Sequence, residues 1–371
     1  MNKQMNLMTT RSLLAQLSCV LLVAILSALA TAQARPKSTL NHRNLPVNIP
    51  FARAASASWV SPRVQTTEDQ LVYVTYVLSL TSGGTNIYDI APGGPQLVGM
   101  LDVGGGGPVA VDSQENVYVI QTNLDGNLYQ LDAAVYRYAR GSTQGTKLFD
   151  APNIGAEAMT VAADGTIYIA GQVPESINFA VAKFSPPSYK GQVISVGPDV
   201  AYPTGISLDP NGNLFVGWLV SDNNFPYGPC VSGCITELPA GQSKWQIRLP
   251  DLAANSIGAG PVVTTDDTLL FWADNAGRYN YIETVPSGRH YPTKVNQLSP
   301  NLFPNAGNPS LALNGDGSEF WMTVTGLGGP LGTNVEGVNY PGGDVATSFI
   351  VDSPADLIFI MGIGVSPSYL P

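Results

Sequence analysis

Histidine and cysteine are scarce in this chain, with two His and three Cys among 371 residues. His42 and His290 cannot between them assemble a three-histidine zinc site, which closes off one class of metal chemistry. Charge is scarce as well: 12% of the residues are charged, and the formal net charge is −10. An acidic, sparsely charged chain has no electrostatic footprint for nucleic acid, and it is equally unsuited to an anionic membrane surface. Beyond residue 34 no stretch approaches the roughly 18 apolar residues of a spanning helix, so no membrane span is expected in the mature chain. There is no Gly-x-Ser-x-Gly elbow, and no glycine-rich phosphate loop that follows a strand and opens a helix. No cofactor and no metal are expected from this inventory.

What is present begins with a secretory signal. Lys3 and Arg11 form a basic start, Leu13 to Leu29 is mostly apolar, and Ala30-Thr31-Ala32-Gln33-Ala34 offers two small-x-small cleavage sites. The apolar core is short for an uncleaved membrane anchor. Cys19 follows Gln16-Leu17-Ser18, which suits lipoprotein processing poorly. Cleavage after Ala34 removes two positive charges and no negative ones, moving the net charge from −10 to −12. The mature protein is therefore expected to be secreted or periplasmic. It keeps two cysteines, Cys230 and Cys234, which in an oxidising compartment read as a local disulfide pinning a loop. A redox-active pair would want two intervening residues and a helix N-terminus.

The 39 glycines, 29 prolines and few charges describe a turn-rich β protein. A repeat organises it. Pro108–Val119, Glu157–Ile169, Pro203–Val216, Pro261–Trp272 and Pro309–Met322 share a small or proline-led start, an apolar strand, a polar turn and an apolar-aromatic strand. Thr67–Val74 is a degenerate sixth copy. The aromatics Tyr73, Tyr118, Tyr168, Phe215, Phe271 and Trp321 recur at intervals of 45, 50, 47, 56 and 50 residues. A third strand follows in each copy: Asn86–Ile90, Val135–Tyr138, Val181–Phe184, Ile235–Leu238, Tyr281–Val285 and Ser348–Val351. Four short strands in about 45–50 residues is the size of a propeller blade. The sequence thus predicts an all-β, six-bladed β-propeller of four-stranded antiparallel blades over residues 58–371. Residues 1–34 are the signal peptide and 35–57 an extended lead-in. Leu357–Ile360 is expected to pair with the first blade and close the ring. Asp112, Asp164, Asp209, Asp266 and Asp316 sit at the tight turns between strands, where they read as turn residues and not as metal ligands.

The blade signature, roughly Pro-x-Gly-apolar-x-apolar-Asp-x-x-Gly-x-Leu-Tyr-Val, resembles NHL-repeat and gluconolactonase (regucalcin)-like propellers over most of the mature chain. That resemblance implies the fold; its motif of strand and turn residues carries little about function. The lactonases of this group hold a divalent cation in the central channel with Glu, Asn and Asp. The positions that would match here are Val109, Glu157, Thr204, Val262 and Ser310, of which only Glu157 is anionic. The departure argues against the usual metal site and makes Glu157 a hydrogen-bonded residue of the channel rim. Relatives that are lyases rely on histidines, which this chain does not have in number.

The remaining signal is loop length. The connections between second and third strands, at 75–85, 121–134, 171–180, 222–233, 273–280 and 325–346, are generous and fall on one face. Phe225, Tyr227, Tyr279 and Tyr340 lie in them beside Asn and Gly, a mixture suited to a protein, peptide or carbohydrate surface. The sequence thus reads as a non-catalytic binding or interaction module that uses its loop-rich face. The alternative is a gluconolactonase-like metal-dependent hydrolase or lyase with an atypical channel site around Glu157, Thr204 and Ser310.

Overall fold

In the computed structural model the described residues run from Arg53 to Ser366. The segments 55–57, 80–81, 102–105, 125–129, 152–153, 174–178, 197–200, 221–232, 250–255, 265, 275–279, 286–293, 298–301, 305–310, 327–333 and 352–358 are not among them. All described residues belong to one compact unit, Pro50–Pro371.

Six antiparallel sheets form the blades of a propeller. Blades two to five each use four consecutive strands. In the third they are Gly155–Val161, Ile167–Gln172, Phe179–Ser185 and Lys190–Val196, ordered from the channel outward. The first blade takes its innermost strand from the other end of the chain. Phe359–Ser366 pairs antiparallel with Gln70–Ser79, running from Phe359 opposite Val77 to Ser366 opposite Leu71. The ring is closed in this way, and the sheet edges that would otherwise face each other unpaired are removed. This also explains why Thr67–Val74 is a degenerate copy: its blade has no strand of its own to precede it. Closure comes through 359–366, a longer and later stretch than Leu357–Ile360. Two short additions widen the first blade: Trp59–Val60 pairs with its outer strand, and Arg53–Ala54 pairs parallel to Ser82–Gly83.

Sequence pattern follows position in the blade. Inner strands contact neighbouring blades on both faces and read as continuous apolar runs, such as Pro108–Val111 and Ile363–Val365. Outer strands such as Thr146–Asp150 and Val345–Ile350 are half exposed and mixed. Each inner strand packs against the next around the ring. The hydrophobic core is divided among the junctions. Trp218, Leu214 and Trp245 pack with Val181 between blades three and four, and Trp321, Tyr88 and Ile363 between blades six and one.

The hairpin after each inner strand repeats one turn. In blade two the Asp112 carboxylate accepts from the backbone N–H of Gln114 (2.9 Å) and of Asn116 (2.8 Å), from the Asn116 amide (2.9 Å) and from the Tyr118 hydroxyl (3.0 Å). Asp209 repeats this with Asn211 and Asn213. Asp164 caps Thr166, Asp316 caps Ser318, and Asp266 is bonded by the Thr264 hydroxyl. These carboxylates serve turns, as their spacing suggests. The fourth turn residue has positive φ in every case: Glu115, Gly165, Gly212, Asp267 and Gly317.

Two strand readings need correction. Gln70–Ser79 and Ser82–Ala91 occupy nearly all of 75–85, so no long loop lies there. In the last blade the third strand is Asn334–Asn339, and Val345–Ile350 is the fourth. Polar residues hid the former: Glu336 points into a buried junction, while the apolar alternation of Ser348–Val351 belongs to an outer edge.

Candidate functional site

A propeller concentrates its inner strands around a channel, so that channel is the first place to look for chemistry. Here it is narrow, about 100 Å³, and every blade contributes aliphatic side chains: Val109, Met159, Ile206, Val263, Leu311 and Ile363. Among its described lining residues the polar side chains are the hydroxyls of Thr160 and Ser207. A hard cation takes about six to eight oxygen ligands, most of them carboxylate or carbonyl. Two hydroxyls among packed aliphatics do not provide that set.

At the channel mouth the inner strands are bulged. Glu157 is the extra residue between Ala156 and Ala158, and Thr204 the one between Pro203 and Gly205. A bulge turns its residue out of the pleat and re-aims the side chain. Both line one small recess of about 50 Å³, together with Pro108, Pro261, Leu311 and Ile363. The sequence alignment of Glu157 with Thr204 is therefore sound. Val109 and Val262 are not their equivalents. The bulge of blade two spans Gly106 to Val109, and the one in blade five spans Ala259 to Val262, so Gly-Pro pairs stand at the rim. Proline has no N–H for the ladder and is confined to such breaks, which shifts the alignment by a residue or two between blades. Ser310 lies outside the described residues.

Neither rim side chain is free for chemistry. Tyr202 donates its hydroxyl to Glu157 Oε2 at 2.7 Å. Burial, reinforced by the Glu157 carboxylate, raises the Tyr202 phenol well above its ordinary value and keeps it a donor. The Tyr202 ring meets Phe179 edge-on at 5.2 Å, which fixes the phenol in place. Thr204 donates to the Gly260 carbonyl of the next blade at 3.2 Å. Glu157 is thus a hydrogen-bonded rim residue, and Tyr202 is the partner that sequence reasoning missed. Its position just before Pro203 was the available cue.

The connections between second and third strands all leave the blades at this same end. Phe225, Tyr227, Tyr279 and Cys230 fall outside the described residues. Cys234 is buried opposite Trp218 in the third strand of blade four. Tyr340 is not on that end. It follows the third strand of blade six, in the hairpin to the fourth, donates its N–H to the Ser318 carbonyl at 2.7 Å and packs into the junction with blade five. The misread third strand placed it on the wrong face. At the opposite end the turns are trimmed to the short hairpins described above.

No protein-family model matches the chain, and no curated protein matches it in sequence. Solved structures do match in shape. TolB from Acinetobacter baumannii is 10% identical, with a TM-score of 0.56 over 80% of this chain and 66% of that one. A chain of a nidogen/laminin complex is 12% identical, with a TM-score of 0.55 over 81% of this chain and 100% of that one. Both are β-propellers, and at this identity the likeness is one of fold.

Proposed function

We propose that the mature chain is a secreted or periplasmic, non-catalytic propeller of NHL-like type that binds a protein, peptide or carbohydrate through its loop-bearing end. The observation that carries the reading is the aliphatic channel. Where lactonase-like propellers concentrate oxygen ligands, this one has Val109, Met159, Ile206, Leu311 and Ile363, and the one carboxylate among its described rim residues, Glu157, is engaged by Tyr202. Connections that a rigid ring holds at one end are where binding groups belong. Phe225, Tyr227 and Tyr279 are the aromatics we assign to the contact surface. That a nidogen propeller is found in complex with laminin supports a polypeptide partner by analogy of fold only. A Cys230–Cys234 disulfide would pin the longest of these loops.

Melting of the mature protein, beginning at Arg35, with calcium, zinc or a chelator tests the absence of a channel metal. An unchanged melting temperature is expected. A chelator-induced fall that one cation reverses, and that Glu157→Gln abolishes, would instead support a metal-dependent hydrolase around Glu157, Thr204 and Ser310. Partner binding is tested by glycan arrays and pull-downs with the Phe225→Ala, Tyr227→Ala, Tyr279→Ala triple variant, in which capture should be lost while melting is retained.

A further inference from the structure

A second recess lies at the hairpin end of the ring, between blades three and four and away from the loops. It measures about 450 Å³, within the roughly 300–1,000 Å³ range of small-ligand pockets. One wall is a cross-strand row of blade three. Tyr168 stands directly opposite Lys183, and Lys183 opposite Gln192, so all three side chains share a face. The other wall is the turn Pro239–Ser243 of blade four, with Leu214 and Leu238 behind it. The Trp245 indole donates to the Ile194 carbonyl at 3.0 Å and ties the two blades together beside the recess. Two neighbouring blades therefore hold the walls at a fixed separation, and the recess does not depend on a loose segment.

Three features of this recess point to a ligand. First, its polar side chains are unspent. Among the described residues, Tyr168, Lys183, Gln192, Gln242 and Ser243 make no side-chain hydrogen bond or ion pair, although the turns and rims elsewhere are densely bonded. Second, Lys183 is the one charged side chain among the described lining residues, with the Asp164 carboxylate near enough to act on Tyr168. The Lys183 ammonium sits 5.8 Å from the Tyr168 ring centroid, attracted by the negative face of the ring. Lys190 and Lys244 are exposed and lie within two residues of the lining residues Gln192 and Ser243 along the chain. None of the described lining residues is acidic. Third, an apolar strip runs along the turn wall of the recess: Leu238, Pro239 and Ala240.

We infer that this cleft between blades three and four is a binding site for a carboxylate-bearing saccharide, of the uronic-acid type. Lys183 would pair the carboxylate, with Lys190 and Lys244 supplying the surrounding positive potential. The Gln192 and Gln242 amides and the Ser243 hydroxyl each offer both a donor and an acceptor, which is what adjacent sugar hydroxyls require. The apolar strip would take the C–H face of a ring. This site is separate from the loop-bearing end and does not depend on the reading given for that end.

Calorimetric titration of the mature protein with trigalacturonate, the neutral galactose trimer and acetate tests the assignment. Trigalacturonate should bind saturably and at least about tenfold more tightly than either of the others, the size of one charge-assisted hydrogen bond. Lys183→Gln should weaken it by about tenfold or more, and Gln242→Ala should weaken it by a smaller factor. Both positions are partly or fully exposed, so melting should be retained. The loop-end triple variant should bind trigalacturonate like the parent, which keeps the two sites distinguishable. Failure to saturate by about 10 mM, equal binding of charged and neutral trimers, or binding indifferent to both substitutions would overturn the inference. Acetate binding as tightly as trigalacturonate would overturn its saccharide part.

Discussion

Arg140→Ala should open the ring at its seam. Arg140 lies in the hairpin between the third and fourth strands of blade two, and its guanidinium joins three parts of the chain. Nε donates to the Val64 carbonyl at 2.9 Å, and a terminal N–H donates to the Thr67 carbonyl at 2.7 Å. The other terminal nitrogen pairs with Glu115 and reaches the Ser366 hydroxyl at 3.4 Å. Ser366, fully buried at the end of the closing strand, in turn donates to Glu115 at 2.7 Å. Each hydrogen bond from a charged donor contributes about 1.5–3 kcal/mol when buried. The Arg140 side chain is 19% exposed, so water can replace part of what is lost and the low end applies. Two backbone carbonyls and a half-exposed ion pair then give a loss of about 2–4 kcal/mol. For a domain of this size that is a fall of roughly 3–6 °C in melting temperature. Arg140→Lys should recover little, because one ammonium cannot address both carbonyls with the geometry of the guanidinium. Calorimetry gives the magnitude and hydrogen exchange gives the place, with protection lost first at 64–67 and 359–366. A loss below about 0.5 kcal/mol, the scale of an ordinary surface substitution, would refute the seam argument. So would a loss of protection spread evenly over all blades.

Gly217→Ala probes a close approach of blades four and five. An added Cβ would sit 2.5 Å from the Gly260 carbonyl and 2.6 Å from Thr204 Oγ1, and overpacking of that kind should cost about 1–3 kcal/mol by denaturant titration. Asp112→Ala removes the acceptor of four hydrogen bonds and should cost about 2–4 kcal/mol, against about 1 kcal/mol for Asp164→Ala, which caps a single N–H. Glu336 is buried between blades five and six with Oε2 unbonded, and burial raises its carboxyl above the usual value. A carboxylate raised in the folded state favours folding below its unfolded value and loses that contribution as pH rises through the folded one. Glu336→Gln should therefore stabilise the protein at pH 8, and the gap between variant and parent should close as the pH is lowered toward 4. If Cys230 and Cys234 are joined as proposed, the Cys230→Ser, Cys234→Ala pair should lower stability by about 2 kcal/mol, and non-reducing peptide mapping should find the bridge in the parent.

The number of blades and the identity of most strands were legible because each blade carries the same turn chemistry. An Asp, Asn or Thr at the end of the inner strand, followed three residues later by a residue of positive φ, recurs at Asp112, Asp209, Thr264 and Asn314. What was not legible depends on groups that the repeat does not encode. The third strand of blade six was missed because Glu336 and Gly337 interrupt its apolar pattern, and burial of a glutamate cannot be read from alternation. Tyr340 was misplaced with it. The rim equivalences slipped at Val109 and Val262 because bulges contain different numbers of residues in different blades. The cleft of Tyr168, Lys183 and Gln242 was invisible for another reason. Its walls come from separate blades, and only the ring brings residue 183 beside residue 242.

This separation bears on how far the family resemblance reaches. The residues that carry the signature are the turn aspartates, the glycines of positive φ and the aromatics of the second strands. Their hydrogen bonds and packing lie at the hairpin end and within the blades. The residues on which channel chemistry depends occupy the bulges at the other end, where the signature places no demand beyond a break in the ladder. Here that second set consists of Gly-Pro pairs, Glu157 under Tyr202, and Thr204 bonded to a neighbouring backbone. A propeller whose rim side chains are engaged in blade-to-blade contacts leaves binding chemistry to other surfaces, and the cleft of Lys183 is one that holds polar side chains open to a ligand. The blade motif thus predicts the ring, while the binding chemistry has to be sought between the blades.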